Sequence, residues 1–267
     1  VVDERKVLKV EIVVLLKQVP ATESFISVAP DNVSIKTDDL KWVINPYDEL
    51  AVEEALRIRE THGGQVTIVC LGPEKGVEAI RTALAMGADR GLRIDCGNVR
   101  PDGLGTARIL AAVLKTLPFD LIIAGHRAVD DDNYQVGPAV AEFLGIPHLS
   151  MAIQQKIEGG QIRCRCTVDG GTVELEAPLP ALITTQRGLN EPRYASLPGI
   201  MKAKKKPVDT RLLADLGLAE EAVQSRVTIL GLKPPAERKA GRIINADTTQ
   251  AKVAALVKAL REEAKVL

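Results

Sequence analysis

The chain has 267 residues, 46% of them hydrophobic, enough for one large α/β domain, alone or with an extension, around a real core. Lys+Arg and Asp+Glu both number 35, so net charge makes no whole-molecule case for nucleic acid or an anionic membrane, and any electrostatic recognition must be local. No apolar run reaches the roughly 18 residues of a membrane span, so direct membrane insertion is not expected.

The opening VVDERKVLKVEIVVLL carries acidic residues that a signal peptide lacks, which points to the cytoplasm, while a chain that opens on Val1 is compatible with a removed presequence. Lys9 to Leu16 is a short β-branched run of the kind that fills a parallel sheet covered on both faces, and Gln65 to Leu71 and Phe119 to Ala124 repeat it. Between them, Asp48 to Glu60 gathers Leu50, Ala51, Ala55, Leu56 and Ile58 on one side of a helix with an acidic first turn. Glu78 to Met86, with Gly87 as C-cap, and Gly105 to Leu117 predict two more helices, and Gly91 to Asp95 another strand. Strand and helix alternating at this pitch give βαβ units and a doubly wound, mostly parallel, Rossmann-like sheet. From Met151 the period changes. Ile153 to Ile157, Gln161 to Val168 and Thr172 to Ala177 alternate polar and apolar between Gly-Gly turns, which adds an antiparallel edge. Pro180 to Thr185 returns as a buried strand, and an amphipathic helix from about Thr248 to Ala264 closes the chain. The expected division is an adenine-nucleotide-binding domain over 1–188, a protruding recognition loop over 189–207, and a C-terminal extension over 208–267 that packs back or wraps another subunit.

In such a sheet, ligands bind beyond the carboxyl ends of the strands, so the loops after Leu16, Leu71 and Ala124 should meet at one crevice. In Gly125 to Gly137 (GHRAVDDDNYQVG), Gly125 gives room for a close turn, and Asp130, Asp131, Asp132 and Asn133 are expected as helix N-caps. The N–H groups of Gln135, Val136 and Gly137 would then form an anion site. Three readings stay open on these residues alone: a solvated cap, a nucleotide site, or a Mg²⁺ site. Asn45, Pro46, Tyr47 and Asp48 open a helix as a proline-fixed turn, and Leu71, Gly72 and Pro73 make another tight turn, which favours an adenine-nucleotide pocket. There is no GxGxxG after the first strand, no P-loop and no GxSxG. Cys70, Cys96, Cys164 and Cys166 lack CxxC spacing and read as reduced structural thiols, and no catalytic residue or metal centre is expected.

Leu189 to Pro207 (LNEPRYASLPGIMKAKKKP) sets Leu197, Ile200 and Met201 in a segment that begins Asn190, Glu191, Pro192, Arg193, Tyr194 and ends Lys202, Lys204, Lys205, Lys206. Spacing alone describes a short amphipathic helix with those apolar residues inward; the alternative is a docking patch of apolar anchors in a charged rim.

Taken together, NPYDELAVEEALRIRE, RTALAMGADRG, AVDDDNYQVG and LNEPRYASLPGIMKAKKK resemble the electron transfer flavoprotein beta subunit family, in order over roughly residues 9 to 207. The resemblance implies an electron-carrier subunit that is no catalyst by itself. It pairs with an alpha subunit that holds most of a redox-active FAD, takes electrons from acyl-CoA dehydrogenases of fatty acid beta-oxidation or similar flavoproteins, and passes them to a quinone oxidoreductase. It also implies structural AMP on Leu15, Asn45, Pro46, Tyr47, Asp48, Leu71 and the run Gly125, His126, Arg127, Ala128, Val129, Asp130, Asp131, Asp132, Asn133, Tyr134, Gln135 and Val136. The recognition segment carried over is Glu191 to Lys206, with Glu191, Pro192, Arg193, Tyr194, Pro198, Ile200, Met201 and Lys202 around one anchor, Leu197. Two departures stand out. An Arg–Glu pair that steadies the flavin domain in many relatives is replaced here by Cys166 and Thr167. Relatives that bind a second FAD in place of AMP, and use NADH to bifurcate electrons, tend to read DGDT where this chain has Asp130 to Asn133, which favours AMP; yet VGPAVAEFLG (Val136 to Gly145) is closer to those relatives.

Overall fold

In a computed structural model, residues 9–236 and 240–267 are described. Asp3 and Glu4 of the opening stretch lie outside them. A nine-stranded sheet runs β11-β5-β4-β1-β6-β10-β7-β8-β9. Its parallel part comprises β1 (Ile12–Leu16), β4 (Val66–Leu71), β5 (Arg90–Asp95), β6 (Leu121–Gly125), β10 (Ala181–Thr185) and the edge strand β11 (Val208–Leu212). β7 (His148–Glu158) lies parallel to β10 and then pairs antiparallel with β8 (Gln161–Val168), which pairs with β9 (Gly171–Pro178). A two-stranded antiparallel sheet, β2 (Gln18–Pro20) with β3 (Trp42–Ile44), stands apart.

The β-branched runs make this sheet because both faces are covered. In β1 all five residues are buried: Ile12, Val14 and Leu16 join one core with α1 (Pro46–His62) and α2 (Val77–Met86). Val13 and Leu15 join the other with α3 (Gly103–Leu114), α4 (Val136–Leu144) and Val223 of α6 (Glu220–Val223). Period-2 alternation returns where one face is open: in β8, Ile162, Cys164 and Cys166 are buried and Arg163 and Arg165 exposed, facing Glu176 and Glu174 across the ladder. All four cysteines are free thiols; burial pushes Cys70 and Cys164 up to about 12, which suits packing rather than reactivity.

Two features depart from the expected organisation. The sheet does not end before Leu189: β11, drawn from the segment assigned to the extension, pairs with β5, and Leu213 and Val223 enter the α3 core. The recognition segment is no free loop, because its helix α5 (Leu197–Ala203) packs on α2. Beyond it, α7 (Thr249–Lys258), with Thr248 as N-cap, continues into a π turn, Ala259–Glu263, and buries none of its residues.

Candidate functional site

The chain leaves β1 for β4 and β5 on one side and places β6 on the other, so the gap beyond β1 and β6 is the topological switch point. Asp48, in the first turn of α1, closes its floor. One carboxylate oxygen accepts from Lys17 N–H just past β1 (2.7 Å) and the other from Gly125 N–H at the end of β6 (3.0 Å). One buried side chain thereby fixes three loops. Burial pushes its carboxyl up to about 7 even though both N–H bonds and nearby Lys17 favour the charged form. Gly125 is required by space: a Cβ there would meet Asp48 Oδ1 and come within 2.8 Å of Tyr47 Cβ.

Asn45 occupies the N-cap position of α1 but makes no capping bond. Its amide donates to Arg127 O (2.9 Å) and accepts from Val129 N–H (3.2 Å), stitching α1 to the third loop. His126 is buried, with Nδ1 2.9 Å from Thr185 O and its ring edge-on to Tyr47; burial lowers its pKa. Thr185 Oγ1 donates to Tyr47 O (2.7 Å), so β10 also supports the crevice.

The expectation that Asp130 to Asn133 cap the next helix is corrected. Gln135 is the N-cap residue of α4, and its own side chain makes no capping bond. Lys17 Nζ instead binds Asp130 (2.8 Å) and Asp131 (3.1 Å), while Asp132 pairs with Arg127, whose other nitrogen donates to Tyr47 OH (2.9 Å). Burial pulls Lys17 down, but its bonds and charges from Asp130 and Asp131 outweigh that and hold it above the usual lysine value. Asn133 Oδ1 accepts from Gln135 N–H (3.1 Å), so that donor is no longer available to an anion and the N–H groups of Val136 and Gly137 head the helix. The loop holds this course with Asp132 and Tyr134 both at positive φ (52° and 58°), a conformation non-glycine residues rarely adopt.

Of the expected residues, Leu15 and Leu71 line the cluster beneath, with Ala124. The turn after Leu71 stands apart, because Gly72 donates to Ile94 O and accepts from Arg93. Ala128 accepts from Asp132 N–H, and Val136 begins α4. Lys17, Thr185 and Arg187 join the site without being among the expected site residues; Lys17 and its partners are 113 and 114 positions apart, and no local pattern signals such a pair. Among the described residues no group of three or more His, Cys, Asp or Glu is placed to hold a metal ion. Pairing of Asp130, Asp131 and Asp132 with Lys17 and Arg127 weakens the repulsion a phosphate would otherwise meet, and Arg127 Nε is buried with no partner among the described residues, so the crevice suits a nucleotide.

A cavity of about 290 Å³ is lined by Pro46 and Tyr47 from the crevice, by Glu191 and Pro192 from the second candidate site, and by Arg187. Past it, Asn190 donates to Leu50 O (3.0 Å) and Glu54 (2.7 Å), and Arg193 binds Glu53 (2.7 Å) and Glu60 (2.5 Å). Ser196 then caps α5 by accepting from Gly199 N–H (3.1 Å). Leu197 is 80% exposed, Met201 71% and Tyr194 98%, with Ile200 less so; Ala203 alone of the helix is buried. The inward packing of a bland amphipathic helix is therefore absent. The lysine rim is smaller than expected, since Lys206 turns in towards carbonyls at the end of α2. Cys166 faces the core and Thr167 Oγ1 reaches Met151 O (3.4 Å).

Residues 33–216 match the model of the electron transfer flavoprotein domain. The chain is 39% identical over 256 residues to the electron transfer flavoprotein subunit beta of Bacillus subtilis (strain 168), covering 95% of this chain and 98% of that one. It is 38% identical over 252 residues to the human subunit beta (93% and 97% covered) and 40% identical over 235 residues to that of Syntrophomonas wolfei (88% and 89%). With the domain match spanning more than half of the chain and these relatives aligned nearly end to end, the chain belongs to the electron transfer flavoprotein family, as a beta subunit.

Proposed function

We propose that this subunit works by position: it joins an alpha subunit, carries AMP in the crevice as a structural ligand, supports one side of an FAD held mainly by alpha, and docks electron donors through Leu197. Acyl-CoA dehydrogenases or similar flavoproteins are the donors, and a quinone oxidoreductase is the acceptor. The observation that carries this reading is an apolar patch, Tyr194, Leu197 and Met201, left in solvent on a segment bonded firmly to α1. A fold that spends buried hydrogen bonds on presenting an exposed leucine is built for a partner. FAD supplies the redox chemistry when bound, and residues of this chain orient and separate the components. The unburied helix α7 and exposed Val227, Ile229 and Leu230 suit a C-terminal segment that lies on the alpha subunit.

Leu197→Ala is expected to remove about 2 kcal/mol of docking free energy, more than tenfold in apparent affinity for a reduced acyl-CoA dehydrogenase, with flavin content unchanged. Steady-state reduction of the heterodimer measures it, and wild-type rates across the dehydrogenase titration would refute the anchor role.

A second reading has its own support: Val136 to Gly145, now α4 and its αL glycine, is the stretch nearer the bifurcating relatives. In that reading FAD replaces AMP in the crevice and NADH is the reductant. Acid extraction of the purified heterodimer separates the two. One FAD and one AMP per heterodimer is the expected result, and two FAD with no AMP overturns it.

A further inference from the structure

The motif RTALAMGADRG helped to place the chain in its family, but the crevice does not use it. It forms α2 and the turn that follows, and its contacts lead to the docking segment. Arg81 Nη1 donates to Ala203 O (2.6 Å) and Lys206 O (2.7 Å), the last carbonyls of the docking helix and its exit. Lys206 answers in the opposite direction, its ammonium donating to the carbonyls of Leu84 (3.2 Å), Gly87 (3.3 Å) and Ala88 at the end of α2. The carbonyls at the end of α5 are thus met by a cation from α2, and those at the end of α2 by a cation just past α5, where both helix dipoles favour positive charge. The helices are pressed together between these bonds, since a Cβ on Gly199 would lie 2.5 Å from Ala85 O. The chain is then tied to the sheet at once: Gly91 N–H donates to Pro207 O (3.0 Å), and Val208, the first residue of β11, pairs with Gly91.

We propose that Arg81 and Lys206 are positioning residues for partner recognition, a reciprocal lock that holds the exposed faces of Leu197 and Met201 in the orientation a donor flavoprotein meets. This rests on the docking role proposed above. Ordering the patch in advance removes an entropy cost from docking, so loss of the lock acts on affinity and spares the electron-transfer step once docked. Neither cation touches the donor in this arrangement. Lys206 differs in this from Lys202, Lys204 and Lys205, which the donor can reach.

The test uses the intact heterodimer as wild type, Arg81→Met, Lys206→Met and Lys204→Met, with an acyl-CoA dehydrogenase reduced by its acyl-CoA as donor. Arg81→Met and Lys206→Met should raise the apparent KM for the dehydrogenase about tenfold and leave kcat within about twofold. Backbone hydrogen exchange should rise over 197–206 in both, while amides of β1 and β6 keep their protection. Lys204→Met should leave exchange over 197–206 unchanged. Exchange at the wild-type level in Arg81→Met and Lys206→Met overturns the lock. Faster exchange with an unchanged KM overturns the positioning role and leaves a structural one. A wild-type heterodimer that takes no electrons from the dehydrogenase, with exchange still raised in the variants, overturns the docking role instead.

Discussion

A single methyl group at position 125 is expected to empty the crevice. In Gly125→Ala the new Cβ meets Asp48 Oδ1 and Tyr47 Cβ, and neither can retreat: Asp48 is held by two backbone N–H groups, and Tyr47 is buried under His126 and Arg127. Overpacking at a closed site costs about 1–3 kcal/mol, and loss of an Asp48 bond adds about 1 kcal/mol. The heterodimer should lose several degrees of thermal stability and purify with little nucleotide. Gly72→Ala, just past β4 with nothing near its added Cβ, is the matched control and should behave as wild type. Full nucleotide content and an unshifted melting point in Gly125→Ala would mean that the floor is softer than its packing implies.

Asp48→Asn should do comparable damage through hydrogen bonding rather than bulk. An amide offers one acceptor where the carboxylate offers two, so either Lys17 N–H or Gly125 N–H faces a donor, at a cost of about 1–3 kcal/mol. The substitution also changes the response to pH. Asp48 titrates near 7 in the folded chain against an ordinary 3.8, so the folded state binds the proton more tightly. Its contribution to stability is fully present below about 4 and is lost as pH rises to 7, at up to about 1.4 kcal/mol per pH unit. His126, whose value burial lowers, contributes a slope of the opposite sign, and the difference between wild type and variant cancels it. Denaturant midpoints from pH 5 to 7.5 should therefore fall with pH more steeply in wild type than in Asp48→Asn. Parallel profiles would assign the carboxylate an ordinary value.

The parallel strands were legible because a sheet covered on both faces needs unbroken apolar runs, and the helices between them because each buries one side. β11 was not legible: an edge strand buries little, and VDTRL after a run of lysines has no period to read. In the crevice, residue types were legible and partners were not. Asn45 and Asp130 to Asn133 are good capping residues by chemistry, yet Asn45 bonds the backbone of the third loop and Asp130 and Asp131 bond Lys17, contacts that exist only once β1, α1 and β6 are adjacent. In Lys202 to Lys206 composition cannot tell one lysine from the next. Only the stitch from Pro207 to Gly91 turns Lys206 inward.

The docking segment leaves the sheet at β10 and rejoins it at β11, five strand spacings away, about 24 Å at the usual separation. It crosses α1 and α2 on the way and is bonded to both. It is therefore a strap of set length and not a tip that tolerates growth: one extra residue between Gln186 and Pro207 would put either Arg193 or Lys206 out of reach of its partners. A partner that pulls on Leu197 pulls on the middle of the sheet and on its far edge together, which makes the anchor a point of purchase on the whole subunit.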